Sequence, residues 1–330
     1  LGDKPYLLVG IDTESDNQWD LSARLQPTFE NVRSLHGLDA VFTSHGVRPT
    51  YLVTHPVAAD AKSAGVLREF ADAGACEIGA HHHAWETPPC TPDDARRHLY
   101  AMALSAERFD RQLDELTETI ERRIGRRPLS YRSGRFGFSA AHVSSLERRG
   151  YQVDSSVAPL FSESHKGGPD FAGAPLRPYF LAYYDATVPG SSDLLEIPVS
   201  AALNRRLPGW VERAYARAPS PYNTKRILRK LGVARMLWLR PSYCSLEDMT
   251  ALATRLADDR VPLLNVIFHS SEAMAGGSPY NCTPGDVEAF LNRLGRFFEY
   301  AIGKLGAVPA TFQEFRARHL GVGVGVAGGG

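Results

Sequence analysis

Seven short apolar runs punctuate the chain, with helical patterns between several of them, and this alternation most constrains the fold. The runs are Tyr6–Ile11, Thr50–Val53, Cys76–Ala80, Leu129–Tyr131, Tyr151–Val153, Leu194–Val199 and Leu263–Phe268. Strands alternating with helices imply parallel β/α units, since parallel strands need a crossover between them. The expected fold class is α/β, a distorted (β/α) barrel of about seven parallel strands. Helix ends support it. Thr91-Pro92-Asp93-Asp94 supplies an N-cap, a first-turn proline and acids, ahead of an apolar face through Leu113, Leu116, Ile120 and Ile124. Ser139, Ser245 and Thr283 open further helices. Residues 160–245, rich in proline and aromatics, break the rhythm and read as a long insertion before the last strand. Residues 1–320 are expected to form one barrel domain and the glycine-rich 321–330 a disordered tail.

Composition narrows the function classes. The 330 residues are 43% hydrophobic and 22% charged, a globular balance. With 37 basic against 37 acidic side chains the net charge is zero, which argues against a nucleic-acid binder with its basic footprint. No uncharged stretch approaches the roughly 18 residues of a membrane helix, and Tyr6–Ile11, short and leading straight into acids, is not expected to be a signal-peptide core. Cys76, Cys90, Cys244 and Cys282 form no C-x-x-C pair and read as separate reduced thiols in a cytosolic-type protein. The sequence has no G-x-x-x-x-G-K-[ST] loop, no G-x-G-x-x-G after a strand and no G-x-S-x-G elbow.

The polar residues at the strand ends carry the chemistry. Asp12, with Glu14 and Asp16 behind it, comes after the first run; His81, His82 and His83 come after the third; Arg132, Asp154 and His269 end others. In a parallel barrel the carboxyl ends of the strands converge on one mouth, where active sites sit. Alternation along an extended chain puts His81 and His83 on one side and His82 on the other. Two imidazoles and a carboxylate suit zinc or a similar divalent ion. Glu14 or Asp16 would complete the set. Asp12, at the end of an apolar run, needs a cation, either Arg132 or the metal. Asp154 could orient the imidazole of His269. Arg135, within YRSGRFG, is a candidate for substrate binding or an ordinary surface arginine. Trp85 is a candidate wall against a sugar ring or a core residue. His55 also ends a strand, without an assigned role.

The blocks GIDTESD, EIGAHHHAWETPP, YRSGRFG, VDSSV and LNVIFHSSE resemble the five motifs of the polysaccharide deacetylase (NodB-homology) family. They are most similar to its lipopolysaccharide-biosynthesis branch, as are TYLVTHPVA and SPYNCTP. The resemblance implies a NodB-type barrel holding one divalent metal, usually Zn2+. It implies Asp12 as catalytic base, and Glu14, His81 and His83 as metal ligands. It further implies Arg132 as the holder of the base, Asp154 as the acid that orients a histidine, and His269 as that histidine and general acid. Two departures stand out. Thr13 separates the acids of the first motif, where adjacent aspartates are commoner, and the commoner four-residue histidine spacing would reach Trp85.

The implied reaction is hydrolysis of an N-acyl group, N-acetyl above all, from a sugar of a polysaccharide, lipopolysaccharide precursor or lipid-linked glycan. Its rivals are a non-catalytic glycan-binding barrel and an amidohydrolase-type metalloenzyme acting on a non-sugar amide. Residues 200–240 carry ten basic side chains and one acid, with Ile227, Leu228, Leu231 and Leu237 among them. Such a segment can rest on an anionic membrane or grip phosphate. The expected partner is therefore an acetylated saccharide in lipid-linked or phosphorylated form, met in the cytoplasm at the inner membrane face.

Overall fold

The computed structural model describes residues 4–94, 100–218 and 234–321. All seven apolar runs become strands. Strand β1 (Tyr6–Thr13) is buried at every residue after Tyr6, because strands flank it on both edges and layers cover both faces. Its neighbours are β10 (Leu263–His269) and β2 (Thr50–Val53). From β2 the sheet continues through β3 (Glu77–His82), β4 (Ser130–Ser133), β5 (Val153–Asp154) and β7 (Leu195–Glu196), all parallel. The antiparallel β6 (Tyr179–Phe180) ends it, and β11 (Val308–Pro309) pairs with the start of β1. The result is a mixed α/β molecule built on a curled, parallel half-barrel.

The insertion closes the open side. Residues 197–200 run from β7 towards β10, where the Asn265 N–H donates to Ser200 Oγ at 2.9 Å. Leu239 donates to the Ser200 carbonyl and accepts from Ile267, both at 3.0 Å. Leu239 follows β9 (Met236–Trp238), which pairs antiparallel with β8 (Ala201–Leu203). The side chain of Asn265 bridges the seam, donating to the carbonyls of Ile197 and Pro198 at 3.3 and 3.2 Å.

Helices cover the outer face. Ala106–Ile124 buries Phe109, Leu113, Leu116, Ile120 and Ile124. Pro284–Gly303, opened by a Thr283–Asp286 capping box, buries Phe290, Leu294, Phe297 and Phe298. Leu246–Asp258 starts at Ser245, whose hydroxyl caps the Asp248 N–H. One helix start differs from expectation. Thr91-Pro92-Asp93-Asp94 does not open the long helix; Ser105 does, capping the Arg108 N–H. Tyr100 and Leu104 are extended, which separates the two segments, and the Asp94 carboxylate accepts from Thr91 and Arg108. No helix of the described residues is long and apolar enough to cross a membrane.

The strands also run one or two residues beyond several of the apolar runs, so Asp12, His81, Arg132, Asp154 and His269 lie within strands rather than after them. Register then decides which face each side chain takes. Asp12 pairs with His269 and with Leu52, His81 with Arg132, and Tyr131 with Asp154. Since facing changes at each residue, Gly10, Asp12, His81, Arg132, Ser155 and His269 share the inner face. His82, Tyr131, Asp154 and Glu196 share the outer one.

Much of the basic segment lies outside the described residues, including Lys225, Arg226, Ile227, Leu228, Arg229, Lys230 and Leu231. Of its other cations, Arg206 pairs with Asp259 at 2.7 Å, Arg217 with Asp170 at 2.8 Å, Arg235 with Asp248, and Arg240 with Glu272. The tail beyond Gly321 likewise lies outside the described residues.

Candidate active site

At the carboxyl end of the strands a cleft of about 250 Å3 opens. Its floor holds Asp12, Glu14, His81, His83 and His269, and Trp19, Trp85, Tyr100, Phe136, Phe161 and Tyr243 wall it.

Arg132 is the largest fully buried side chain, and burying its charge requires partners. Its Nη1 donates to Asp12 Oδ1 at 2.6 Å, Nε to the Ser155 carbonyl at 2.8 Å and Nη2 to Ser155 Oγ at 2.9 Å. Room for the guanidinium comes from Gly10, where a Cβ would lie 2.7 Å from Arg132 Nη2 and from the Phe312 ring. Burial alone would raise the pKa of Asp12. Arg132 outweighs it, aided by His81 and His269, and holds the carboxyl well below the usual carboxylate range. Asp12 is therefore an anion at any physiological pH.

Glu14, His81 and His83 form a cluster that could hold a metal ion, their ligand atoms all within 4.8 Å of one another. His81 Nδ1 donates to the Arg132 carbonyl at 3.1 Å, which leaves its Nε2 with a lone pair. His83 Nδ1 meets Glu86 Oε1 at 2.6 Å, and its Nε2 lies 3.2 Å from Glu14 Oε2. Burial lowers both histidines, His81 to about 3, so both are neutral and able to donate to a cation. Glu14 is pushed well above the ordinary value by burial and by the charges of Asp12 and Glu86. A buried carboxyl beside two neutral imidazoles, each with its other nitrogen fixed by a protein oxygen, fits a divalent cation. Gly134 serves the same set, because a Cβ there would overlap the His83 ring. Glycine at this position of YRSGRFG thus lets the backbone approach the His83 ring closely.

Asp16 takes no part. Its carboxylate accepts from the N–H groups of Glu30 and Asn31, both at 3.0 Å, and from Thr28 Oγ1 at 2.7 Å. It caps the helix Glu30–Arg33, so Glu14 is the acid brought to the histidines. His82 lies on the outer face, bonded to Gln112 Oε1 at 2.8 Å and Tyr131 Oη at 3.3 Å. His55, 3.4 Å from Glu115, stays away from the cleft.

The expected contact between Asp154 and His269 is not formed. Asp154 is in register with Tyr131, hence on the outer face. There it accepts from Ser156 Oγ at 2.6 Å and pairs with the Glu196 carboxyl. Burial raises both acids. Glu272 holds the histidine instead. One turn of 3-10 helix, Ser270–Ala273, returns Glu272 Oε1 to 2.7 Å from His269 Nδ1 and 3.1 Å from its backbone N. Arg240, buried, bonds the same carboxylate and lies 3.0 Å from His269 Nδ1. Burial would raise Glu272, but Arg240 brings it down to about 2, so it stays ionised. His269 Nε2 then faces Glu14 Oε1 at 3.5 Å and Asp12 Oδ2 at 3.9 Å.

Trp85 is both wall and packing residue: it lines the cleft and stacks on His83 with ring centroids 4.0 Å apart. Arg135 lines the cleft from an exposed position, its guanidinium 5.4 Å from the Tyr100 ring centroid. Sequence reasoning missed Glu272, Arg240 and Glu86. The usable signal was local, an acid three residues after a strand-end histidine in HSSE and in HAWE.

No family model and no curated protein matches the sequence. Solved structures share the fold. A protein of Mycobacterium smegmatis assigned to the polysaccharide deacetylases superposes with a TM-score of 0.53 at 15% identity, over 98% of this chain and 94% of that one. The 4-alpha-glucanotransferase of Thermococcus litoralis gives 0.53 at 13%, over 96% of this chain and 40% of that one. The GH57-type branching enzyme of Pyrococcus horikoshii gives 0.50 at 12%, over 95% and 70%. At such identities the likeness is one of fold, a curled (β/α) barrel.

Proposed function

We propose that this protein is a metal-dependent hydrolase that removes an N-acyl group, N-acetyl above all, from a sugar. The observation that carries the reading is the cluster of Glu14, His81 and His83 between an ionised Asp12 and a carboxylate-held His269. The barrel shared with the M. smegmatis protein and the order of the motif blocks support it.

Glu14, His81 and His83 would hold the ion, and two imidazoles with one carboxylate favour Zn2+. When bound, it supplies an activated water at neutral pH and polarisation of the acyl carbonyl. The remaining work belongs to the chain. Asp12, kept ionised and fixed by Arg132, takes the proton from the attacking water. His269 presents Nε2 to the cleft while Glu272 accepts from Nδ1–H, which fixes the ring and the direction in which Nε2 points. A proton carried at Nε2 goes to the departing amine, whose poor leaving ability otherwise stops amide cleavage. Trp85 and Arg135 contact the sugar. We further assign the substrate to a polysaccharide, lipopolysaccharide precursor or lipid-linked glycan, met in the cytoplasm at the inner membrane face. The excess of cations in residues 200–240 supports that placing.

The test is a screen of N-acetylated saccharides for acetate release, with and without chelator. Release that stops with chelator and returns with Zn2+ is expected. Bound glycan without release would instead favour the glycan-binding barrel, and release from non-sugar amides alone would favour the amidohydrolase reading.

A further inference from the structure

We propose that the cleft carries a site for an anionic substituent of the substrate, a phosphate or a carboxylate, held between Arg24 and Arg135. This deepens the sugar-hydrolase reading and rests on it.

The charges of the cleft are unevenly matched. Asp12 is matched by Arg132, and Arg240 by Glu272. Glu163 is engaged by Lys166 at 3.1 Å and by the Tyr100 hydroxyl at 2.9 Å. Glu14 belongs to the ligand cluster, and Glu86 is bonded to His83. Arg24 and Arg135 are what remains. Both line the cleft, and among the described residues neither has a carboxylate oxygen within ion-pair distance. Asp12 and Glu272 on the floor thus have their own cations and Glu14 and Glu86 have the two neutral histidines, while the wall carries two positive charges with no carboxylate at ion-pair distance among the described residues.

Neither arginine is a loose surface side chain. Arg24 lies in the short helix Leu21–Leu25, donates from Nε to the Gln18 carbonyl and lies 5.2 Å from the Trp85 ring centroid. Those contacts use one face and one nitrogen of the guanidinium, and among the described residues its Nη groups have no hydrogen bond. Arg135 rests over Tyr100. Arg135 and the next residue, Phe136, have φ of 54° and 57°, consecutive left-handed residues that are not glycine. Such backbone costs energy and persists where the surroundings impose it, commonly at ligand sites. Both residues of this turn line the cleft.

The two cations also sense each other. Burial and then the charge of Arg135 make the ionised form of Arg24 harder to hold than that of an ordinary arginine, and the more distant Glu14, Glu86 and Asp20 offset this only in part. An oxyanion between them would relieve both effects, and the planar guanidinium fork matches phosphate and carboxylate oxygens. The phosphate grip expected of residues 200–240 is not needed for this. Four of the described cations there are already paired.

Calorimetric titration of the chelated protein tests the site without a metal to take the anion. The probes are N-acetylglucosamine 1-phosphate, N-acetylmuramic acid and neutral N-acetylglucosamine. The readout is the ratio of anionic to neutral affinity, from which any general damage to the cleft cancels. An anionic sugar is expected to bind at least about tenfold tighter than the neutral one, in keeping with charge-assisted hydrogen bonds. That advantage should vanish in Arg24→Gln/Arg135→Gln and partly return with lysine at both positions. Whichever anionic sugar binds tighter identifies phosphate or carboxylate as the substituent. Equal affinities in the native protein, no binding of either anionic sugar, or an advantage that survives the double substitution would overturn the proposal. Acetate release plays no part in this readout, so failure of the hydrolase reading would register separately.

Discussion

Removing the guanidinium from Arg132 tests how the base is held. The side chain is fully buried, and its Nη1 lies 2.6 Å from Asp12 Oδ1. At an effective dielectric near 20 and a charge separation of roughly 4 Å, the attraction is about 4 kcal/mol. Arg132→Met therefore leaves Asp12 buried without its cation and should destabilise the fold by about 3–5 kcal/mol. Asp12→Asn strands Arg132 in the same way, although Ser155 still accepts from Nε and Nη2. In the double variant neither charge is present, so its loss should be well below the sum of the single losses. The assay is a double-mutant cycle by urea unfolding of the chelated protein, so that metal affinity does not enter. A coupling of about 2–4 kcal/mol is expected. Additivity within about 0.5 kcal/mol would refute the claim that this contact is what keeps Asp12 ionised.

Two further outcomes concern buried acids. Glu272→Gln keeps the shape but offers His269 no charge, so kcat should fall by about 100-fold or more with KM little changed, as read from steady-state acetate release. Glu196 and Asp154 both titrate above their unfolded values, so the folded protein holds protons that the unfolded chain has released. Stability is then greatest below the unfolded carboxylate range and declines as pH rises towards the folded values, by up to about 1.4 kcal/mol per pH unit for one full proton. Glu196→Gln should flatten that decline above the unfolded carboxylate range in denaturant melts, and an unchanged slope would count against a proton held by the Asp154–Glu196 pair.

The parallel strands β1–β5, β7 and β10 were legible because each overlaps a short apolar run, and a parallel sheet buries such runs on both faces, whereas β6, β8, β9 and β11 were not anticipated. Helix starts at Ser245 and Thr283 were legible through side chains that cap specific N–H groups. Alternation within HHH correctly separated His82 from its neighbours. The same rule could not be applied to Asp154, because β5 contributes only two residues and its register with β4 is a property of the folded sheet. Sought on a neighbouring strand, the partner of His269 in fact lies three residues along its own chain, returned by one helical turn. Arg240 counted only as one of the ten basic side chains of residues 200–240, and only the fold shows that burial and Glu272 make it part of the site. Arg24 gave no signal, since nothing in LSARL distinguishes a cleft arginine from a surface one.

The central claim is that acyl transfer to water depends on one divalent ion held by Glu14, His81 and His83. Zn2+ titrated into chelated protein, with acetate release from an N-acetylated saccharide followed at each addition, tests it most directly. The expected result is no release without metal, a linear rise that breaks at one equivalent, and no rise in His83→Ala. Full release before any metal is added, or a rise that His83→Ala leaves intact, would contradict it.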